Sequence, residues 1–258
     1  MAESQGERAG EYRIGPFVFA PGWGSSSEDR WSHRRGEPRL FGLFWVMFVI
    51  ASVSATLLAV RGAGGPTVER YEFAVLGLLE ALVAGVCVLW PMVRLSQARP
   101  AGSVKACAAD VAVMSIPILA VLLPVPLFTQ WPITVIAATG TVLGAWMIGV
   151  SGVLAWALRS SSPGDRLAAM LVLGLAVCAA PLVGLALPAE AGTAWPDAVA
   201  AQVWVWCSPF TAMWALTRSP GNLVPVVDVG GWIIACWPAI PGAALLFGAM
   251  LIRPRDRA

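Results

Sequence analysis

Glu80 is the residue of this chain whose type and position most need an explanation. It is the ninth residue after Tyr71 in an apolar stretch, or roughly 13 Å along a helix. That depth is close to the middle of a bilayer, where an ionisable group costs at least about 2.5–3.5 kcal/mol. We expect Glu80 to face other helices and to have either a partner or a proton. A proton or substrate contact and a structural hydrogen bond between helices fit the sequence equally well.

Small residues and a second acid complete this candidate intramembrane polar site. The residues at helical spacing around Glu80 are small, so another helix could approach closely there: Ala74, Gly77, Ala81 and Ala84. Asp110 lies in the first turns of the next apolar stretch, where an acid complements a helix N-terminus. We therefore expect Asp110 to cap its helix.

A serine in the fourth apolar stretch lies between glycines, in a pattern that is also found around a catalytic serine. Gly149-Val150-Ser151-Gly152 resembles the nucleophile motif of rhomboid intramembrane proteases, in which a serine on span four pairs with a histidine on span six. A serine is inert without a base within hydrogen-bond reach. The single histidine is His33, in the N-terminal tail, and the single lysine is Lys105, at a span boundary. We expect no catalytic residues here.

Ser151 has a simpler interpretation as part of a packing seam. Gly140, Gly144 and Ser151 follow one side of the same stretch, and small residues at such spacing let helices approach closely. The partner helix could belong to this chain or to another copy of it, so a homodimer or heterodimer is possible.

Composition excludes several other classes of function. Hydrophobic residues make up 58% of the chain and charged residues only 12%, which is typical of a membrane protein. A net charge of +2 is too small to indicate nucleic-acid binding. The five cysteines are odd in number and widely spaced, so neither a disulfide framework nor a metal site is expected. We expect no cofactor.

Six apolar regions, each long enough to cross a bilayer, organise the rest of the chain. They predict an all-α, polytopic bundle with spans at about 40–60, 72–93, 106–127, 132–158, 166–187 and 231–252. Residues 1–38 form a polar, partly disordered tail, 39–253 the bundle and 254–258 a basic C-terminal tail. A Trp-rich stretch at about 197–217 contains Ser208-Pro209, a helix-start signal, and predicts a re-entrant or interfacial hairpin before the last span.

Basic residues predict the orientation. With six spans and a cytoplasmic N-terminus, fourteen of the 17 Lys and Arg residues face the cytoplasm. Both termini are then cytoplasmic, and the protein lies in the inner membrane. A seventh span at 198–217 would move the C-terminal arginines outside, against this rule.

This order of elements resembles the membrane subunits of ABC-2-type exporters, and the resemblance covers most of residues 28–252. It implies a permease driven by a separate cytoplasmic ATPase that docks on the loop after span two, where Arg94, Arg99 and Lys105 lie. The acidic–basic run followed by Gly-Thr that is often seen in that loop is absent. The alternative is a non-transporting scaffold or anchor whose tail binds a soluble partner through the aromatic patch Tyr12 to Phe19.

Overall fold

The computed structural model describes residues 12–14, 17–19, 38–62, 67–96, 102–160, 162–186, 208–217 and 224–251. Outside a two-stranded hairpin, all regular structure in these residues is helical. The hairpin lies in the N-terminal tail, where β1 (Tyr12–Ile14) pairs antiparallel with β2 (Phe17–Phe19). The remainder of the tail and the C-terminal residues 252–258 lie outside the described residues.

The helices follow the apolar stretches. They are α1 (Pro38–Gly62), α2 (Val68–Ala84), α3 (Trp90–Ser96), α4 (Ser103–Leu122), α5 (Ile133–Ala157), α6 (Pro163–Ala186), α7 (Pro209–Thr217), α8 (Val229–Cys236) and α9 (Ala239–Leu251). A π-helical turn, Gly85–Leu89, joins α2 to α3, and a short 3₁₀ turn, Val125–Leu127, follows α4.

Five of the resulting segments are long and apolar enough to cross a membrane. They are Phe41–Gly62, Val68–Ser96, Ser103–Leu127, Ile133–Ala157 and Val229–Leu251. The chain is thus a multi-pass helical membrane protein by length and composition. The predicted span at 166–187 corresponds to α6, a helix of 24 residues that is not among these five. Of the predicted hairpin, only Ser208 to Thr217 falls within the described residues.

Helix α5 is the centre of the bundle. Most of its side chains are buried, and it contacts helices from both halves of the chain, including α4, α6, α7, α8 and α9. Helices α1, α4 and α9 instead expose many large apolar side chains, such as Leu58, Ile116 and Phe247. This distribution fits a bilayer, because lipid tails solvate an apolar outer surface as well as a protein core does.

A proline interrupts the last spanning segment. Helix α8 ends at Cys236 and α9 begins at Ala239, with Trp237 and Pro238 between them. A proline in a helix interior removes one backbone hydrogen bond and clashes with the preceding turn, which accounts for the break. Asp228 starts the segment, since its carboxylate accepts a hydrogen bond of 2.7 Å from the backbone N–H of Gly231.

Candidate functional site

A widened helical turn sets the direction of two polar side chains in the second spanning segment. The backbone N–H of Trp90 donates to the carbonyl of Gly85, five residues earlier. Pro91 comes next and has no N–H to donate, so the regular helical pattern cannot continue unchanged through this point. Such single π turns are frequent at functional sites. After it, Trp90 and Arg94 lie four residues apart and share one face of α3.

That face meets Asp110 of α4 in a buried ion pair. Arg94 donates from Nε and Nη2 to the two oxygens of the Asp110 carboxylate. Trp90 Nε1 donates to the same carboxylate over 2.8 Å. Arg94 is 2% exposed and Asp110 is 0% exposed, so the pair is fully shielded. A two-pronged arginine contact of this kind fixes both distance and orientation.

Two further contacts extend this cluster to four helices. The guanidinium of Arg94 lies 5.8 Å from the ring centre of Phe41 on α1, a cation–π distance. On α6, Arg166 donates from Nη1 over 3.0 Å to the carbonyl of Leu95, in the last turn of α3. A cation near a helix C-terminus is favourable. The ion-pair cluster of Trp90, Arg94 and Asp110 therefore connects α1, α3, α4 and α6 at one end of the bundle.

The structure corrects two expectations at this cluster. Asp110 does not cap α4, which begins at Ser103, because its carboxylate accepts hydrogen bonds from side chains of another helix. Arg94 does not lie in a partner-docking loop, because helix α3 continues to Ser96 and buries it. Hydropathy could not predict the burial of Arg94, because an arginine in an ion pair has the same hydropathy value as an unpaired one.

Glu80 lies apart from this cluster, on a face of α2 that is open. Its side chain is half-buried, and the residues around it on that face, Phe73 and Gly77, are exposed. The described part of the chain offers it neither a hydrogen bond nor an ion pair. The expectation that Glu80 faces other helices and has either a partner or a proton stays a prediction.

Ser151 is buried on α5 without a catalytic partner. Its hydroxyl donates over 2.7 Å to the backbone carbonyl of Met147, one turn earlier. Within the described ranges no histidine occurs at all, since His33 lies outside them. In this arrangement the hydroxyl proton of Ser151 is directed at a backbone carbonyl and not at a base.

The glycines on either side of Ser151 lie in close backbone contact with Gly242 of α9. A Cβ built on Gly242 of α9 would lie 2.5 Å from the Cα of Gly149, and one on Gly152 would lie 2.7 Å from the carbonyl oxygen of Gly242. No side chain fits at these separations. The motif Gly149-Val150-Ser151-Gly152 therefore serves the packing of α5 against the last segment.

The predicted seam is displaced from this contact. A Cβ on Gly140 would meet only a side-chain carbon of Leu122, at 3.3 Å, and one on Gly144 would meet nothing within 4 Å. Ser151 is buried, but Gly140 and Gly144 do not face α9 in close contact. The contact with α9 could have been suspected from Gly149 and Gly152, which lie three residues apart, together with Gly242 in the last apolar stretch. Packing of another copy against Gly140 and Gly144 stays a prediction.

The remaining predicted positions are scattered. Lys105 lies exposed in the first turn of α4, and Arg99 falls outside the described residues. Cys87 and Cys107 are buried free thiols, whereas Cys178 and Cys236 are exposed. Among the residues that were described, no group of three or more His, Cys, Asp or Glu side chains could hold a metal ion. The described residues thus offer a shielded charge pair at Arg94 and Asp110 and, apart from it, an acid at Glu80 that has no partner among them.

Comparisons with protein-family models, with curated proteins and with solved structures found no match to this chain. The function must therefore be inferred from the geometry.

Proposed function

We propose that the chain is the permease subunit of an exporter in the inner membrane, with six spans, cytoplasmic termini and a separate ATPase as its energy source. One observation supports this proposal above others: a helix too short to cross a membrane is packed among the spanning helices. That helix is α7, Pro209–Thr217, whose nine residues extend about 13 Å.

Helix α7 is held at depth in the bundle. Its N-terminal neighbour Ser208 is buried and donates over 2.6 Å to the carbonyl of Val177, far along α6. Ala212 and Met213 are almost completely buried, and the helix contacts α2, α5 and α6. Helices that end within a membrane need protein or water around their free backbone groups. Transporters commonly use such short helices near their substrate sites, which favours a transport role.

The proposal is tested at the loop after the second spanning segment. With Arg94 buried, the basic residues that remain for docking are Arg99 and Lys105, the latter in the first turn of α4. We expect the double variant Arg99→Glu, Lys105→Glu to insert normally but to lose the ATPase in pull-down, because like charges across an interface can cost several kcal/mol. The control variant Arg61→Glu, Arg70→Glu, at the opposite side of the membrane in this topology, should retain it. Recovery of no nucleotide-binding partner with the unmodified chain would reject the exporter role.

The second candidate function is a membrane scaffold whose tail binds a soluble partner. The hairpin of β1 and β2 favours it, because an isolated two-stranded hairpin is marginally stable and gains from pairing with another sheet. Deleting residues 12–19 tests this function. A scaffold loses its soluble partner in pull-down with that deletion, whereas the exporter keeps its ATPase.

A further inference from the structure

One face of α2 has the spacing and composition of a helix–helix interface but no helix against it. Phe73, Gly77, Glu80 and Ala84 follow each other at intervals of four, three and four residues, which places them on one stripe of the helix. We call this stripe the Glu80 face. Phe73 is 72% exposed, Gly77 is exposed, and Glu80 and Ala84 are half-buried. The opposite side of α2, with Leu79 and Leu82, is buried in the bundle.

On the Glu80 face, a carboxyl that has no hydrogen-bond partner among the described residues lies beside open space. Glu80 has no hydrogen-bond or ion-pair partner in the described residues, and a carboxyl in hydrocarbon without one is expensive. A Cβ added to Gly77 would meet nothing within 4 Å, so the surface beside Glu80 is open. Small residues on both sides would let a second backbone come close enough for a side-chain hydrogen bond.

We propose that a second copy of this chain packs on the Glu80 face, with the two Glu80 carboxyls hydrogen-bonded to each other across a two-fold axis normal to the membrane. Copies inserted in the same orientation bring identical residues to identical depth, so Gly77 meets Gly77 and Glu80 meets Glu80. Two-fold symmetry of this kind is the commonest in homo-oligomers.

The chemistry of the face favours a second copy over a different helix. A protonated carboxyl both donates and accepts, so two of them satisfy each other without any further residue. A foreign helix would have to bring its own buried donor, most simply a basic residue near its middle. A second copy already carries the matching carboxyl at the same depth, so no residue beyond those of this chain is required.

This inference deepens the proposed function, since an exporter needs a second copy or homologue to form a pathway. Only the role of the dimer in transport rests on that proposal. The two are tested separately. If no ATPase binds, the exporter role fails but the dimer on the Glu80 face can still form. If the chain is monomeric, the dimer fails but the chain can still bind an ATPase.

The first test locates the contact in native membranes. Phe73 is replaced by the photo-reactive p-benzoyl-phenylalanine, and the matched control carries the same group at Phe247, which is 63% exposed on α9. Irradiation should give a cross-linked dimer of the full-length chain from position 73 and little or none from position 247. Equal yields from the two positions, or a position-73 adduct to a different protein or to lipid, would overturn the proposal.

The second test measures the dimer itself, in density-matched detergent by sedimentation equilibrium. Gly77→Leu and Glu80→Leu should each weaken self-association roughly 5- to 30-fold, the effect expected of one interhelical hydrogen bond or a blocked approach. Glu80→Gln should stay within about 3-fold of the unmodified chain, because an amide can still pair with an amide. The control Gly174→Leu, another glycine with nothing within 4 Å, should have no effect.

Thermal unfolding of each monomer separates misfolding from lost association. A chain that is monomeric throughout, or a dimer that both Leu variants leave unchanged, contradicts the proposal. If Gly77→Leu does not fold, Ala84→Leu replaces it on the same face.

Discussion

Arg94 and Asp110 lie on different spanning segments, yet each is the other's main partner in a volume closed to solvent. Attraction between buried charges is strong, but removing them from water is costly, so the two terms nearly cancel. Such a pair adds little net stability while both partners remain. It nevertheless fixes how α3 and α4 are rotated against each other, because any other rotation leaves a bare charge in the bundle.

We expect Asp110→Asn to destabilise the bundle by about 3–5 kcal/mol, because it leaves Arg94 charged, buried and unmatched. The double variant Arg94→Met, Asp110→Leu should recover most of that loss. The free energy of unfolding in mixed micelles, measured by SDS titration, decides between them. Lys105→Met, an exposed change on the same helix, is the control and should stay within about 0.5 kcal/mol. A double variant as unstable as the single one would contradict this prediction.

Two fully buried tryptophans allow the hydrogen bond to Asp110 to be weighed by itself. Trp90 Nε1 donates to that carboxylate, whereas Trp45 Nε1 has no partner among the described residues. Replacing either by Phe leaves a similar void. Only Trp90→Phe also removes a bond to a charged group, which is worth about 1.5–3 kcal/mol.

We therefore predict that Trp90→Phe lowers the free energy of unfolding by about 1.5–3 kcal/mol more than Trp45→Phe does, in the same SDS titration. Equal losses would mean that the Trp90 bond adds nothing to stability.

The positions of the spanning helices could be predicted from the sequence, because a run of apolar residues of membrane-spanning length has few other stable conformations. The fourth predicted span, 132–158, differs by one residue at each end from α5, Ile133–Ala157. The helix start at Ser208-Pro209 was also predicted correctly, since Pro209 is the first residue of α7. Both results depend on local signals that need no knowledge of neighbouring helices.

The contacts between helices could not be predicted in the same way, because they depend on how each helix is rotated. The turn at Gly85–Leu89 changes the rotation of everything after it, and this brings Arg94 to Asp110. Hydropathy does not reveal that turn, so the sequence alone predicts a loop at Arg94. The position of the glycine seam likewise depends on where α9 crosses α5, which the spacing of Gly140 and Gly144 does not determine.

The glycine contact gives a sharp prediction from one matched pair of substitutions. Gly242→Ala places a methyl group 2.5 Å from the Cα of Gly149, so α5 and α9 must separate. We expect a loss of about 1–3 kcal/mol or more from overpacking. Gly144→Ala meets open space in the same kind of helix and should be neutral or stabilise by up to about 1 kcal/mol. Thermal unfolding in detergent measures both, and similar behaviour of the two would show that the close contact does not exist.

The six-span topology is the last prediction, and it can be tested in intact cells. It requires α6, Pro163–Ala186, to cross the membrane although it is not among the five clearest segments. Single introduced cysteines at Ser162 and Arg255 should be protected from a membrane-impermeant maleimide, and one at Gly221 should react. Permeabilised cells, in which Ser162 and Arg255 should also react, control for access to each thiol. Because the positive-inside rule places the basic N-terminal tail in the cytoplasm, labelling of position 255 from outside would require an odd number of spans. The six-span topology would then have to be abandoned, whereas the loop after span two, with Arg99, would stay cytoplasmic.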